Sequence, residues 1–203
     1  MNRTRSILAA ACFSLAMAFT PVSAQGIYFD VGLGFGSATT KIDGNDVSKN
    51  LPSNVDEVAV DVGFRIGYGP VANMPLYIVG DLSGIGHRFD DGRDYIQLNS
   101  YLFGPGVIYY PIPMVQLGLS VGLSWVANTT NIPYLILFDS DGGYAWNISA
   151  AVDFGSGNHG CLLGLKFTST TNELQISRVD QESTMIGLFV KYAYRKKGVQ
   201  LTE

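Results

Sequence analysis

Residues 58–68 read VAVDVGFRIGY. Val58, Val60, Val62, Phe64, Ile66 and Tyr68 occupy every second position. Ala59, Asp61, Gly63, Arg65 and Gly67 fill the gaps. Strict period-two alternation marks a β-strand, because successive side chains leave a strand on opposite faces. One face of this strand is hydrocarbon throughout, while the other carries only small residues, a carboxylate and a guanidinium. The two faces must therefore meet different media, and neither resembles an ordinary solvated surface.

The pattern recurs. Alternating or mostly alternating segments fall at 26–38, 58–68, 75–87, 95–110, 115–127, 144–154, 161–170 and 185–195. The fifth is the most regular: Val115, Leu117, Leu119, Val121, Leu123 and Trp125 against Gln116, Gly118, Ser120, Gly122 and Ser124. The fourth puts Ile96, Leu98, Leu102 and Ile108 on its apolar side, with Gln97 and Asn99 facing the other way together with Tyr101 and Phe103. Between segments, short connections such as PIPM and GSGNHG alternate with long ones, as in a meander with turns at one end and loops at the other. From Tyr95 to Phe138 there is no Asp, Glu, Lys or Arg. Pro105, Pro111, Pro113 and the regular polar face nevertheless exclude a membrane helix there.

The amino terminus is a different kind of sequence. Arg3 and Arg5 precede an apolar run over 7–19, and Val22-Ser23-Ala24 offers a small-residue cleavage site. Residues 1–24 are expected to be a secretory signal peptide and 25–203 one β-barrel domain. A retained anchor and a lipoprotein signal at Cys12 are the rivals; against the lipoprotein, most of the apolar run lies after that cysteine. Losing Arg3 and Arg5 takes the net charge from −4 to −6, a poor match for nucleic acid. Cys161 would then be the single cysteine, so no intramolecular disulfide can form. Its alternating apolar segment points to a buried or lipid-facing thiol.

Composition decides between two all-β architectures. A soluble sandwich or barrel turns its apolar faces inward and needs large polar residues outside. Here the minor faces are mostly Gly, Ala, Ser and Asn, and charged residues make up 15% of the chain, against about 25% in soluble proteins. A transmembrane barrel inverts the faces, with hydrocarbon toward lipid and small or charged residues filling a narrow lumen. The expected fold is all-β: an eight-stranded antiparallel up-and-down transmembrane β-barrel. Aromatics near the expected strand ends, including Tyr28, Phe29, Tyr68, Tyr77, Tyr109, Tyr110, Trp125, Tyr144, Trp146, Tyr192 and Tyr194, read as interfacial girdles.

Leader, eight strands, short Pro/Gly turns and an alternating last strand together resemble the small eight-stranded outer-membrane proteins, the OmpA transmembrane domain, OmpX, OmpW and opacity-type group. GLFVKYAY (187–194) is similar to the terminal-strand signal read by the barrel assembly machinery, although its glycine lies early and the chain runs on past the aromatics. The resemblance implies integral outer-membrane localisation, lipid contact and that assembly machinery as a partner. It implies no specific activity.

On the barrel reading, the lumen receives Asp30, Asp61, Arg65, Asp81, Asp153, Lys166, Lys191 and Arg195. Buried charges of both signs need partners. Asp61 and Arg65 lie about 13 Å apart along a strand, too far to pair, so Arg65 should reach Asp30 or Asp81. The expected result is a cross-linked plug. Catalysis is not expected: His87 and His159 are the only histidines, and no metal-ligand spacing, phosphate loop or nucleophile elbow is present. No cofactor is expected. KIDGND (41–46), RFDDGRD (88–94) and DSDGG (139–143) are Asp/Gly turns lacking the full spacing of a calcium loop. The loop at 128–143 carries an apolar patch, Ile132, Tyr134, Leu135, Ile136, Leu137 and Phe138. It suits a lid or a contact surface. Two functions are open: loops displayed for adhesion to a host or cell-surface ligand, or an OmpW-like channel for a small hydrophobic solute.

Overall fold

The computed structural model describes residues 26–52, 54–71, 74–133, 135, 137, 139–175 and 179–195. The leader expected at 1–24 lies outside the described residues. Eight long strands form the wall: β1 (Ile27–Ile42), β2 (Asp56–Tyr68), β3 (Leu76–Asp90), β4 (Tyr95–Ile112), β5 (Val115–Val126), β6 (Ser140–Asp153), β7 (His159–Leu174) and β8 (Asp180–Arg195). Each pairs antiparallel with the next, and β8 pairs with β1, closing the ring. Two-residue pairings at Asn45–Asp46 and Thr129–Thr130 extend the wall at β1 and β4.

Register defines the barrel geometry. Val31 faces Phe64, which faces Leu82, and the path continues through Phe103, Leu123, Tyr144, Thr171 and Glu182. It returns to β1 at Lys41, ten residues beyond its start. At about 3.3 Å per residue and 4.8 Å between strands, that stagger over eight strands tilts the strands by about 40°.

Alternation becomes inside and outside. Asp30 and Arg65 are 0% and 1% exposed, whereas Phe35 and Leu188 are 64% and 61% exposed. Hydrocarbon lies on the outer surface and charge lies within, the inversion expected of a membrane-spanning barrel. Cys161 is on the outer face.

The strands run longer than the 9–11 residues or so that span a bilayer. At the end where β1 meets β2, the outward positions turn polar: Ser37, Thr39 and Lys41 on β1, Ser169, Thr171 and Glu173 on β7. The wall therefore rises above its apolar belt at this loop end. Part of the chain that reads as long loops is strand extension, and only 91–94 joins β3 to β4. The opposite, turn end holds the connections at 69–75, 113–114 and 154–158 together with Gly26 and Arg195. At the loop end Asp43 and Gly44 both take positive φ (54° and 73°), the geometry of a tight hairpin turn that Asp-Gly supplies.

Candidate functional site

The lumen is built around one carboxylate. Asp30 on β1 and Arg65 on β2 are directly paired in register. Arg65 Nε and Nη2 both lie 2.8 Å from Asp30 Oδ2. Lys191 of β8 reaches Asp30 Oδ1 at 3.1 Å, and the Tyr28 hydroxyl donates to Oδ2 at 2.6 Å. Gln116 ties the far wall in: its Oε1 accepts from Arg65 Nη2 at 3.2 Å, and its Nε2 donates to Tyr28 and Tyr110 oxygens at 2.9 and 2.8 Å. Gly118 makes room for this. A Cβ there would sit 2.7 Å from Arg65 Nη1 and 2.5 Å from Ser149 Oγ.

Three further carboxylates complete the set. Asp61 pairs with Lys166 across the barrel at 2.7 Å. Asp153 pairs with Arg195 at 2.6 Å, and Arg195 lies 4.3 Å over the Tyr110 ring. Asp81 takes neutral donors, Ser120 Oγ at 2.7 Å and Asn147 Nδ2 at 3.2 Å. Among the described residues no cation comes within ion-pairing distance of it. Of its two neighbours in the sequence reading, Arg65 thus takes Asp30 and leaves Asp81. All eight of these charged residues are at most 6% exposed. A cavity of about 10 Å³ lies against Asp61, Lys166 and Thr168, at the lower limit of what admits a single water molecule.

The interior is not uniformly polar, which corrects two expectations. Tyr28, Tyr77 and Tyr110 were read as girdle aromatics, yet they point inward and pack with Val79 and Ile108 near the turn end. Their parity places them on the lumen face, and the hydroxyls of Tyr28 and Tyr110 are satisfied there by Asp30, Gln116 and Asp153. On β4 the lumen face is the one bearing Leu98, Leu102 and Ile108, while Tyr101, Phe103 and Tyr109 turn outward. A second apolar cluster, Ala38, Ala59, Ile85 and Met185, lies toward the loop end.

His87 stands near the loop end of β3, where a histidine beside polar loop residues would be exposed. It is instead buried in the lumen, 1% exposed. One ring nitrogen lies 2.9 Å from Glu57 Oε1 and the other 3.0 Å from Thr40 Oγ1. Thr40 continues to Ser183 Oγ at 3.3 Å, which accepts from Ser100 Oγ at 3.1 Å. This chain crosses five strands. Glu57 was missed because it stands beyond the clean alternation of β2, and its register opposite Phe89 was not legible. His159 lies on the outer surface at the turn end, hydrogen-bonded to Tyr192.

The loop end is acidic. Asp43, Asp46, Asp56, Glu57, Asp90, Asp91, Asp94, Asp139, Glu173, Asp180 and Glu182 stand against Lys41, Lys49, Arg88 and Arg93 among the described residues. The Ser48 hydroxyl holds the Asp46 carboxyl below its usual range. The backbone N–H groups of Asp94 and Arg93 do the same for Asp91. The loop at 127–139 is tied down by Asn131, whose Oδ1 accepts from Tyr95 N at 2.7 Å and whose Nδ2 donates to Arg93 O at 3.0 Å. Leu135 is 40% exposed and Ile132 and Leu137 are half-buried; Tyr134, Ile136 and Phe138 lie outside the described residues. No group of three metal-ligating side chains comes together among the described residues.

A closed ring of eight antiparallel strands, apolar outside and charged within, defines a small transmembrane β-barrel of the outer-membrane type. A solved structure shares this fold. Neisserial surface protein A (NspA) aligns over 83% of this chain and 97% of its own, at 14% identity and a TM-score of 0.53. Ail, the attachment invasion locus protein of Yersinia pestis, aligns over 82% and 99% (12% identity, TM-score 0.47), and OprG from Pseudomonas aeruginosa over 85% and 97% (13%, 0.42). No family model and no curated protein sequence matches the chain.

Proposed function

We propose that this chain is an outer-membrane anchor with a closed interior, and that its loop end carries the function by contacting another surface. The observation behind this reading is the Asp30–Arg65–Lys191 centre, where three strands meet on one buried carboxylate. Apolar clusters toward each end of the lumen add to it. Such a network fills the bore with paired charge, and opening it would strand unpaired ions. The turn end faces the periplasm and the loop end faces outward. The acid excess there favours a cationic partner surface over a polyanionic one. No catalytic role is assigned.

The test is adhesion by cells displaying the protein, against cells displaying a version with 127–139 and 43–55 shortened. Loop-dependent adhesion supports the anchor. Loop-independent behaviour together with uptake of a small apolar solute into proteoliposomes supports the second reading, a hydrophobic-solute channel. The observation favouring that second reading is the apolar Ile132, Leu135 and Leu137 beside the mouth.

A further inference from the structure

The outer wall is not evenly covered. On β6 the outward row reads Tyr144, Trp146, Ile148, Ala150, Val152. Ala150 stands in register between Leu117 on β5 and Leu165 on β7. Its methyl group leaves a gap where its neighbours project whole side chains. The gap opens into a groove of about 410 Å³, walled by Val107, Leu119, Ile148, Phe167 and Ile186 and by the row containing Ala150. Its exposed surface is almost entirely carbon.

The groove has a direction. It runs across β4, β5, β6, β7 and β8 along the hydrogen-bonding rows, about 19 Å at the usual strand spacing. Because the strands are tilted, it also climbs. Its lower edge is Tyr109, three residues from the turn end of β4; its upper edge is Ile186, nine residues from the turn end of β8. That difference is a rise of about 15 Å at the barrel's tilt, half of a hydrocarbon core of about 30 Å. The groove therefore starts at one membrane interface, beside a tyrosine of the kind that sits at headgroup level, and stops near the midplane.

We propose that this groove holds one acyl chain of a phospholipid from the leaflet on the turn-end side, as a bound lipid rather than exchanging solvent. The groove is continuous with the lipid-facing belt, so hydrocarbon is the medium already against it. Its rise matches one leaflet, and its volume is that of a small-molecule site. Identifying that leaflet as the periplasmic one rests on the orientation proposed above; the occupancy does not.

The test uses full-length protein reconstituted into vesicles of phosphatidylethanolamine and phosphatidylglycerol, extracted in mild detergent and weighed by native mass spectrometry. Wild type is expected as a monomer retaining one phospholipid. Ala150→Trp fills the groove from the lipid side and is expected to lose it. Leu33→Trp, equally outward on β1 and away from the groove, is expected to keep it. Ala150→Met serves if the tryptophan variant does not fold. Bare wild-type monomer, equal retention by the Ala150 and Leu33 variants, or a lipid-free dimer abolished by Ala150→Trp would each overturn the proposal.

Discussion

Arg65 and Asp30 meet fully inside the barrel, directly opposite one another on adjacent strands, with two guanidinium nitrogens 2.8 Å from one carboxylate oxygen. The same guanidinium also donates to Gln116. Lysine can supply the charge but not this fork. Arg65→Lys should therefore fold but lose about 2 kcal/mol, the worth of a charged hydrogen bond. Urea unfolding in lipid vesicles checks this, and a midpoint equal to wild type would mean the fork is not used.

Asp61 and Lys166 pair across the lumen at 2.7 Å. Removing one member leaves a buried charge, so Lys166→Met should cost about 3–5 kcal/mol. Removing both, in Asp61→Val/Lys166→Met, should recover most of that loss. Equal losses in the single and double variants would show that packing, not charge pairing, sets the cost.

His87 links half-exposed Glu57 to buried Thr40. The two bonds should differ in weight. Glu57→Gln can turn to solvent and should change stability by less than about 1 kcal/mol. His87→Phe leaves the Thr40 hydroxyl without its ring partner in the lumen and should cost about 1–3 kcal/mol. Comparing their urea midpoints under the same conditions decides the order.

Asn131 holds the 127–139 loop through backbone groups of residues 93 and 95. Asn131→Ala should free the loop without loosening the barrel, because no lumen contact is lost. Limited proteolysis should then cut within 127–139 faster, while the urea midpoint stays in place.

Depressed carboxyl groups set the pH behaviour of the loop end. Asp46 and Asp91 titrate below the usual carboxylate range, so their charge persists through that range and is lost only as pH falls below it. Binding of a cationic probe such as polylysine should be unchanged between about pH 7 and pH 5, which lies above the ordinary carboxylate value of about 4. A marked loss by pH 5 would place the contact elsewhere.

Much of this was legible because a barrel wall forces each residue to one of two sides. Where the faces differ chemically, as on β2 and β5, alternation alone identifies lumen and lipid. On β4 both faces carry large apolar residues, and parity could not be assigned from chemistry. The same limit misplaced Tyr28, Tyr77 and Tyr110, since an aromatic near a strand end suits a membrane interface or a lumen layer equally well. Partner choice was open for a different reason. Arg65 faces Asp30 on one side and Asp81 on the other, and only the positions of Lys191 and Gln116 around Asp30 decide between them. Strand ends at the loop side were hidden because residues such as Thr39, Lys41, Thr171 and Glu173 read as loop once they leave the apolar belt.

The central claim is a lumen closed by paired charge. Single-channel recording of the wild-type protein in a planar bilayer tests it most directly. The account predicts a flat baseline at every holding potential, with current steps appearing only when the Asp30 centre is broken, as in Arg65→Ala. Stable, reproducible conductance steps from the folded wild-type barrel would contradict it.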